Sequence, residues 1–140
     1  MKIETCFNLK IRQANRVLTS YYDEYLRDLG LKITQFSILR CLWYLKQAPQ
    51  KELEKWLVLD QATLTRNLKP LIRDGYIQTH RSEEDGRITL VSLTDDGVTL
   101  YKQAQKRWKK AQENVSKKLG DDMSQKLLEV SEALLDLKPS

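Results

Sequence analysis

Histidine occurs once, at position 80, and that scarcity closes several routes to chemistry at the outset. A His-rich metal site cannot be assembled from one chain. A Ser-His-Asp arrangement would have to use His80, and no Gly-x-Ser-x-Gly elbow accompanies it. Cysteine is nearly as scarce. Cys6 and Cys41 stand 35 positions apart, which makes neither a disulfide framework nor a zinc-ligand spacing. Such usage suggests a reducing compartment, and the cytoplasm is the expected location. The five glycines (Gly30, Gly75, Gly86, Gly97, Gly120) are isolated, never paired as Gly-x-Gly, so no phosphate-cradling loop can be drawn. No apolar run of ~18 residues is present to span a membrane. The opening Met1-Lys2-Ile3-Glu4-Thr5-Cys6 lacks the apolar stretch of a secretory signal. With no catalytic pair marked, the expectation is a protein that is not an enzyme and needs no metal or cofactor.

What is present is a core-forming composition with a basic excess. The 140 residues are 41% hydrophobic, and 24 Lys and Arg stand against 19 Asp and Glu, a net charge of +5. That length fits a single domain over 1–140, and the apolar content argues against wholesale disorder. The glycines punctuate the chain into segments of different periodicity.

Residues ~5–29 read as a long helix whose apolar positions Phe7, Ile11, Ala14, Leu18, Tyr21, Tyr25 and Leu29 form nearly a heptad seam. A second helix over ~34–47, with Thr34 as its N-cap, is apolar on most sides and should be central. It breaks at Ala48-Pro49. A short helix over ~50–57 and another over ~61–74 follow, the latter opened by Asp60 and closed by Gly75. Pro70 falls inside that helix, where it lacks an N–H and clashes with the carbonyl of Arg66; a kink is expected rather than an early end.

Two short helices joined by a tight turn make a helix-turn-helix candidate, a weak signal by itself. The next segments strengthen it. Tyr76–Arg81 and Arg87–Leu93 are β-prone around the turn chemistry of Ser82-Glu83-Glu84-Asp85-Gly86, and a hairpin in that place is a wing. Thr94 then caps a helix over ~95–119, and a last helix over ~122–137 carries Met123, Leu127, Val130, Leu134 and Leu137. The fold class is mostly α with a small β wing. A winged helix-turn-helix occupies about 34–93, flanked by terminal helices at about 5–29 and 95–137.

In this order of elements the chain resembles the MarR-type winged-helix transcription regulators. The residues that carry the resemblance are Asp60 through Leu68, Leu71 through Gly75, Arg81 through Arg87, and Leu93 through Gly97. The family's Asp-x-Arg wing signature stands here as Asp85-Gly86-Arg87. The resemblance implies a homodimer that binds a pseudo-palindromic operator in double-stranded DNA, acts as a repressor, and responds to a small molecule or a hydroperoxide. The terminal helices supply the second ground for a dimer. The winged unit has a core without them, so their seams would otherwise stay uncovered.

The residue chemistry agrees. Gln61, Thr63, Thr65, Arg66 and Asn67 lie on the first turns of the recognition helix, with Lys69 beyond them, and Arg and Asn pair bidentately with guanine and adenine. Arg87 at the wing tip is placed for a narrow minor groove, with Asp85 pinning its guanidinium rather than touching DNA. The recognition segment is not where the basic charge collects. Residues 60–80 have three cations against two acids, whereas 97–118 has seven against Glu113, a run that reads as a solvated face. The competing reading is a winged-helix module that docks protein without binding DNA; Arg66, Asn67 and Arg87 are needlessly basic and polar for that role.

The family's effectors bind between the dimer region and the winged unit, which makes Tyr21, Tyr22, Tyr25, Trp43 and Trp108 candidate pocket residues. Cys6-Phe7-Asn8-Leu9 also resembles the OhrR branch, in which a cysteine of that region is oxidised by organic hydroperoxides with support from a tyrosine of the partner's first helix. Cys6 is therefore the candidate redox sensor, with the helix N-terminus, Lys2, Lys10 and Arg12 favouring its thiolate. The other reading of Cys6 is a packing residue.

Overall fold

The computed structural model describes residues 5–138. Helix α1 (Phe7–Leu26) leads through a 3₁₀ turn (Arg27–Leu29) to α2 (Ile33–Leu45). Strand β1 (Gln47–Pro49), α3 (Gln50–Leu57), α4 (Gln61–Arg73), β2 (Ile77–Arg81), β3 (Thr89–Leu93) and α5 (Asp95–Leu135) follow. This is the winged helix-turn-helix arrangement, mostly helical with a small antiparallel sheet.

Three local expectations change. The cap of α2 is not Thr34: the helix opens at Ile33, whose N–H donates to Asp23 Oδ1 at 2.7 Å, while Lys32 N–H donates to Gln35 Oε1 at 2.9 Å. The segment Gln47–Pro49 is a third strand rather than a plain break, and β3 lies between it and β2. Val91 pairs with Ala48 on one side and Thr79 on the other. The terminal helices abut directly through Gly120 (φ +80°, ψ 166°) and end at Leu135, with Leu137 outside them.

The core lies where α2 meets everything else. Phe36, Ile38, Leu39 and Leu42 of α2 are buried, as are Leu64, Leu68 and Leu71 of α4 and Ile77 and Val91 of the sheet. From α5, Tyr101 stacks between Phe36 and Trp43 at 5.6 and 5.2 Å, and Trp108 stacks on Phe36 at 5.8 Å. Helix α4 runs unbroken through Pro70. Leu68 and Leu71 flank that proline in the core, and burying each is worth ~1.5–3 kcal/mol. Together they match or exceed the ~3 kcal/mol a mid-helix proline costs. Among the described residues, no helix is long and apolar enough to cross a membrane.

Candidate nucleic-acid interface

The recognition helix is positioned by its ends. Asp60 Oδ1 accepts the Thr63 N–H at 2.7 Å, and that bond chiefly holds the Asp60 carboxyl below its usual range, as an N-cap should. At the other end Gly75, at φ +80°, returns its amide to Ile72 O at 3.1 Å, and Tyr76 N–H reaches Leu71 O at 2.9 Å. Between these ends Leu64, Leu68 and Leu71 fix one face inward. The helical period then sends Ala62, Arg66, Lys69 and Arg73 to the opposite face.

Arg66 and Lys69 line a shallow concavity of ≈ 540 Å³ together with Pro70, Ile72 and Arg73. Arg66 donates to Thr63 Oγ1 at 3.3 Å, and both it and Gln61 are exposed. Asn67 is half-buried. Thr65 is turned towards α3, where Gln50 Nε2 donates to its hydroxyl oxygen at 3.0 Å. It can still donate its own hydroxyl proton, but it is a buttressed residue rather than a free one. Gln50 and Arg73 join this candidate face without having been singled out from the sequence. Arg73 was legible in the i, i+3, i+7 spacing from Arg66; Gln50 had no local signal.

The wing is braced from within. Asp85 Oδ1 accepts both the backbone N–H and Nε–H of Arg87 at 3.0 and 3.1 Å, and Oδ2 accepts Nη2–H at 3.2 Å. The Arg87 bonds hold the Asp85 carboxyl below the ordinary range. Two of five guanidinium donors are thereby used, and three remain for a ligand. Arg81 Nη1 donates to Gly86 O at 2.7 Å, and Ser82 Oγ accepts the amides of Glu84 and Asp85. His80 hydrogen-bonds Gln47 Oε1 at 3.2 Å, a strap from β2 across the sheet to β1.

The five candidate pocket aromatics divide into two groups. Trp43 and Trp108 belong to the core stack, with the Arg40 guanidinium 4.4 Å over Trp108 and Lys46 Nζ 4.7 Å over Trp43. The tyrosines lie in the α1–α5 seam. Tyr22 donates to Gln112 Oε1, Tyr21 and Tyr25 share a 3.1 Å hydroxyl contact, and Asn114 Nδ2 donates to Tyr25 Oη at 2.7 Å. Of the five, Tyr21 alone lines the apolar groove of ≈ 850 Å³ between α1 and both arms of α5, among Ala14, Leu18, Val115, Leu119 and Leu127. Cys6 is exposed immediately before α1. Tyr21 of the same chain is about 22 Å further along the helix at 1.5 Å per residue, so it cannot support that thiol. Lys2 lies outside the described residues. Cys41 is half-buried, and desolvation pushes its thiol pKa up.

Residues 20–104 match the family described as transcriptional regulator SarA/Rot. The organic hydroperoxide resistance transcriptional regulator of Bacillus subtilis (strain 168) is 36% identical over 104 residues, covering 74% of this chain and 71% of that relative. The M. tuberculosis transcriptional regulator MOSR in complex with DNA superposes with a TM-score of 0.81 at 30% identity, over 92% of this chain and 96% of that one. A mutant MarR from E. coli complexed with operator DNA gives a TM-score of 0.83 at 26% identity, over 91% and 92% of the two chains. With recognition helix, wing and flanking helices in the same order, the chain belongs to the MarR-type winged-helix family of transcriptional regulators.

Proposed function

We propose that this protein is a repressor that binds a pseudo-palindromic operator as a homodimer and is released from it by a small-molecule or oxidant effector. One observation carries the reading: the cationic face of α4 and the clamped but exposed Arg87 are two DNA-reading elements of different groove preference on one winged unit. Gln61, Thr63, Arg66, Asn67 and Lys69 engage the major groove and its phosphates, Thr65 supports them from the α3 side, and Arg87 enters the flanking minor groove. MOSR and MarR in the superposed complexes are DNA-bound, which supports the same partner here.

The dimer reading is supported by uncovered apolar surface. Phe7 is 86% exposed and Val17 71%, and Met123, Leu127, Leu128, Val130 and Leu134 are exposed on the far arm of α5. Patches of this kind are covered by a partner in stable proteins. Charge favours a second copy: α1 carries Lys10, Arg12 and Arg16 with no acid before Asp23, whereas 121–138 has five acids against two lysines. As effector residues, Trp108 lies under the cation of Arg40 and Trp43 under that of Lys46, and Cys6 serves an oxidant if a partner's tyrosine reaches it.

Selection of bound sequences from random duplex DNA tests the reading. The expected product is two inverted half-sites about 10 base pairs apart. Recovery of no enriched sequence, with binding insensitive to salt, overturns it in favour of protein docking.

A further inference from the structure

Thr94 and Gly97 belong to neither the recognition helix nor the wing, yet they hold the end of one element to the start of another. The Thr94 hydroxyl donates to Gly75 O at 2.5 Å, and its amide donates to Tyr76 O at 3.1 Å. The same hydroxyl oxygen accepts Gly97 N–H at 3.0 Å, as the N-cap of α5. Gly75 is the left-handed residue on which α4 stops. One threonine side chain thus joins the terminal carbonyl of the recognition segment to the first turn of α5.

Gly97 sets how closely the two backbones approach. A Cβ there would lie 2.0 Å from Tyr76 O and 3.0 Å from Tyr76 C. Both are backbone atoms, so no side chain can swing aside. Gly97 is not among the positive-φ glycines, so its glycine is demanded by space and not by a dihedral angle. The first turn of α5 is seated directly on residue 76, with no compliant spacer between.

We infer that the Thr94–Gly97 joint is a positioning device that couples the orientation of α4 to α5 and so sets the separation of the two recognition helices. The inference rests on the DNA-binding dimer proposed above. From the joint, α5 runs through Tyr101 and Trp108, stacked on α2, to the apolar groove around Leu119 and Leu127. A movement of α5 at that groove reaches the C-terminal end of α4 through two hydrogen bonds and a backbone contact. Half-sites one helical turn apart make this separation consequential. Inserting one base pair displaces the second half-site by about 3.4 Å and rotates it by about 35°, more than a stiff joint can follow.

The test compares wild type, Thr94→Val, Gly97→Ala and the conservative Thr94→Ser on three duplexes. These carry two selected half-sites at the selected spacing, the same sites with one added base pair, or one half-site alone. Wild type and Thr94→Ser should lose about tenfold or more in affinity on the lengthened duplex, the size of a lost base contact. Thr94→Val and Gly97→Ala should lose less than roughly threefold there, with single-half-site affinity within about twofold of wild type. Sedimentation checks that each variant keeps the wild-type mass. If Gly97→Ala fails to fold by circular dichroism, Thr94→Val carries the comparison. Variants that retain the full spacing penalty overturn the joint whatever their absolute affinity, and so does a wild type indifferent to spacing. A wild type that binds none of the duplexes overturns the DNA reading and, with it, any positioning role.

Discussion

Asp85 grips Arg87 with both carboxylate oxygens while leaving that arginine side chain 91% exposed. The clamp fixes direction without burying charge. An exposed pair of this kind adds little to stability, and it leaves three guanidinium donors of Arg87 unengaged by Asp85.

Asp85→Asn removes the charge and one of the two acceptor positions, so Arg87 should lose its fixed direction. DNA affinity should fall, but by less than for Arg87→Ala, which deletes the ligand group itself. The pH sense follows from the Asp85 carboxyl lying below its ordinary 3.8, chiefly through the Arg87 side-chain bond. A depressed carboxyl contributes above its unfolded pKa and stops contributing as pH falls through the folded one. The Arg87 Nε–H resonance followed from pH 6 to pH 2 should therefore move with a midpoint below 3.8. A midpoint above that value would contradict the clamp.

Arg66→Ala should cost ~1–3 kcal/mol of operator binding and relax base preference at one position in each half-site. Lys69→Ala should instead weaken all sequences alike and lower the salt slope by about one. Titrations at two salt concentrations on matched and substituted duplexes separate the two outcomes. Equal behaviour of both variants would move Arg66 from base reading to phosphate contact.

Val58 closes α3 in the left-handed region at φ +53°, a conformation a β-branched residue rarely holds, and it is 67% exposed. Left-handed backbone costs a non-glycine residue roughly 1–2 kcal/mol. Glycine adds back about 0.4–1 kcal/mol of unfolded-state freedom, and little buried surface is lost. Val58→Gly should raise the thermal midpoint by a few degrees, which a melting curve reads directly. A fall would mean the Val58 side chain contributes contacts that exceed its strain.

Leu127 lines the ≈ 850 Å³ groove and is 44% exposed in the single chain. If a second copy covers it, Leu127→Asp places an unpaired carboxylate in the interface and should weaken association by at least ~2 kcal/mol. Sedimentation across a concentration series measures this against a 16.4 kDa chain. An unchanged dimer would place the interface elsewhere.

Cys6→Ser should leave DNA binding intact and abolish its loss on titration with cumene hydroperoxide, if the thiol is the sensor. Operator binding during parallel titrations decides the matter. Identical curves for both proteins would leave Cys6 a surface residue and point to a ligand at the aromatic groups instead.

Several elements were legible because the forces that make them act within about one turn of chain. Asp60 caps α4 through Thr63, Gly75 ends it, Thr94 caps α5, and the seams of α1 and the far arm of α5 follow from residue spacing. The Asp85–Arg87 pair spans two residues, and it could be read for the same reason.

Other features were settled by neighbours distant in sequence. β1 is three residues long and includes a proline; it is a strand only because β3 passes beside it. Thr34 was passed over as a cap because Asp23, on another helix, meets the Ile33 amide first. Thr65 differs from Arg66 because Gln50, fifteen residues away, donates to its hydroxyl oxygen. Gly97 is the sharpest case. Cap chemistry within one turn of chain accounts for a helix capped by Thr94, and by that chemistry alone a glycine at position 97 is locally unfavourable. Glycine stands there because the fold brings the Tyr76 carbonyl into the space a side chain would need.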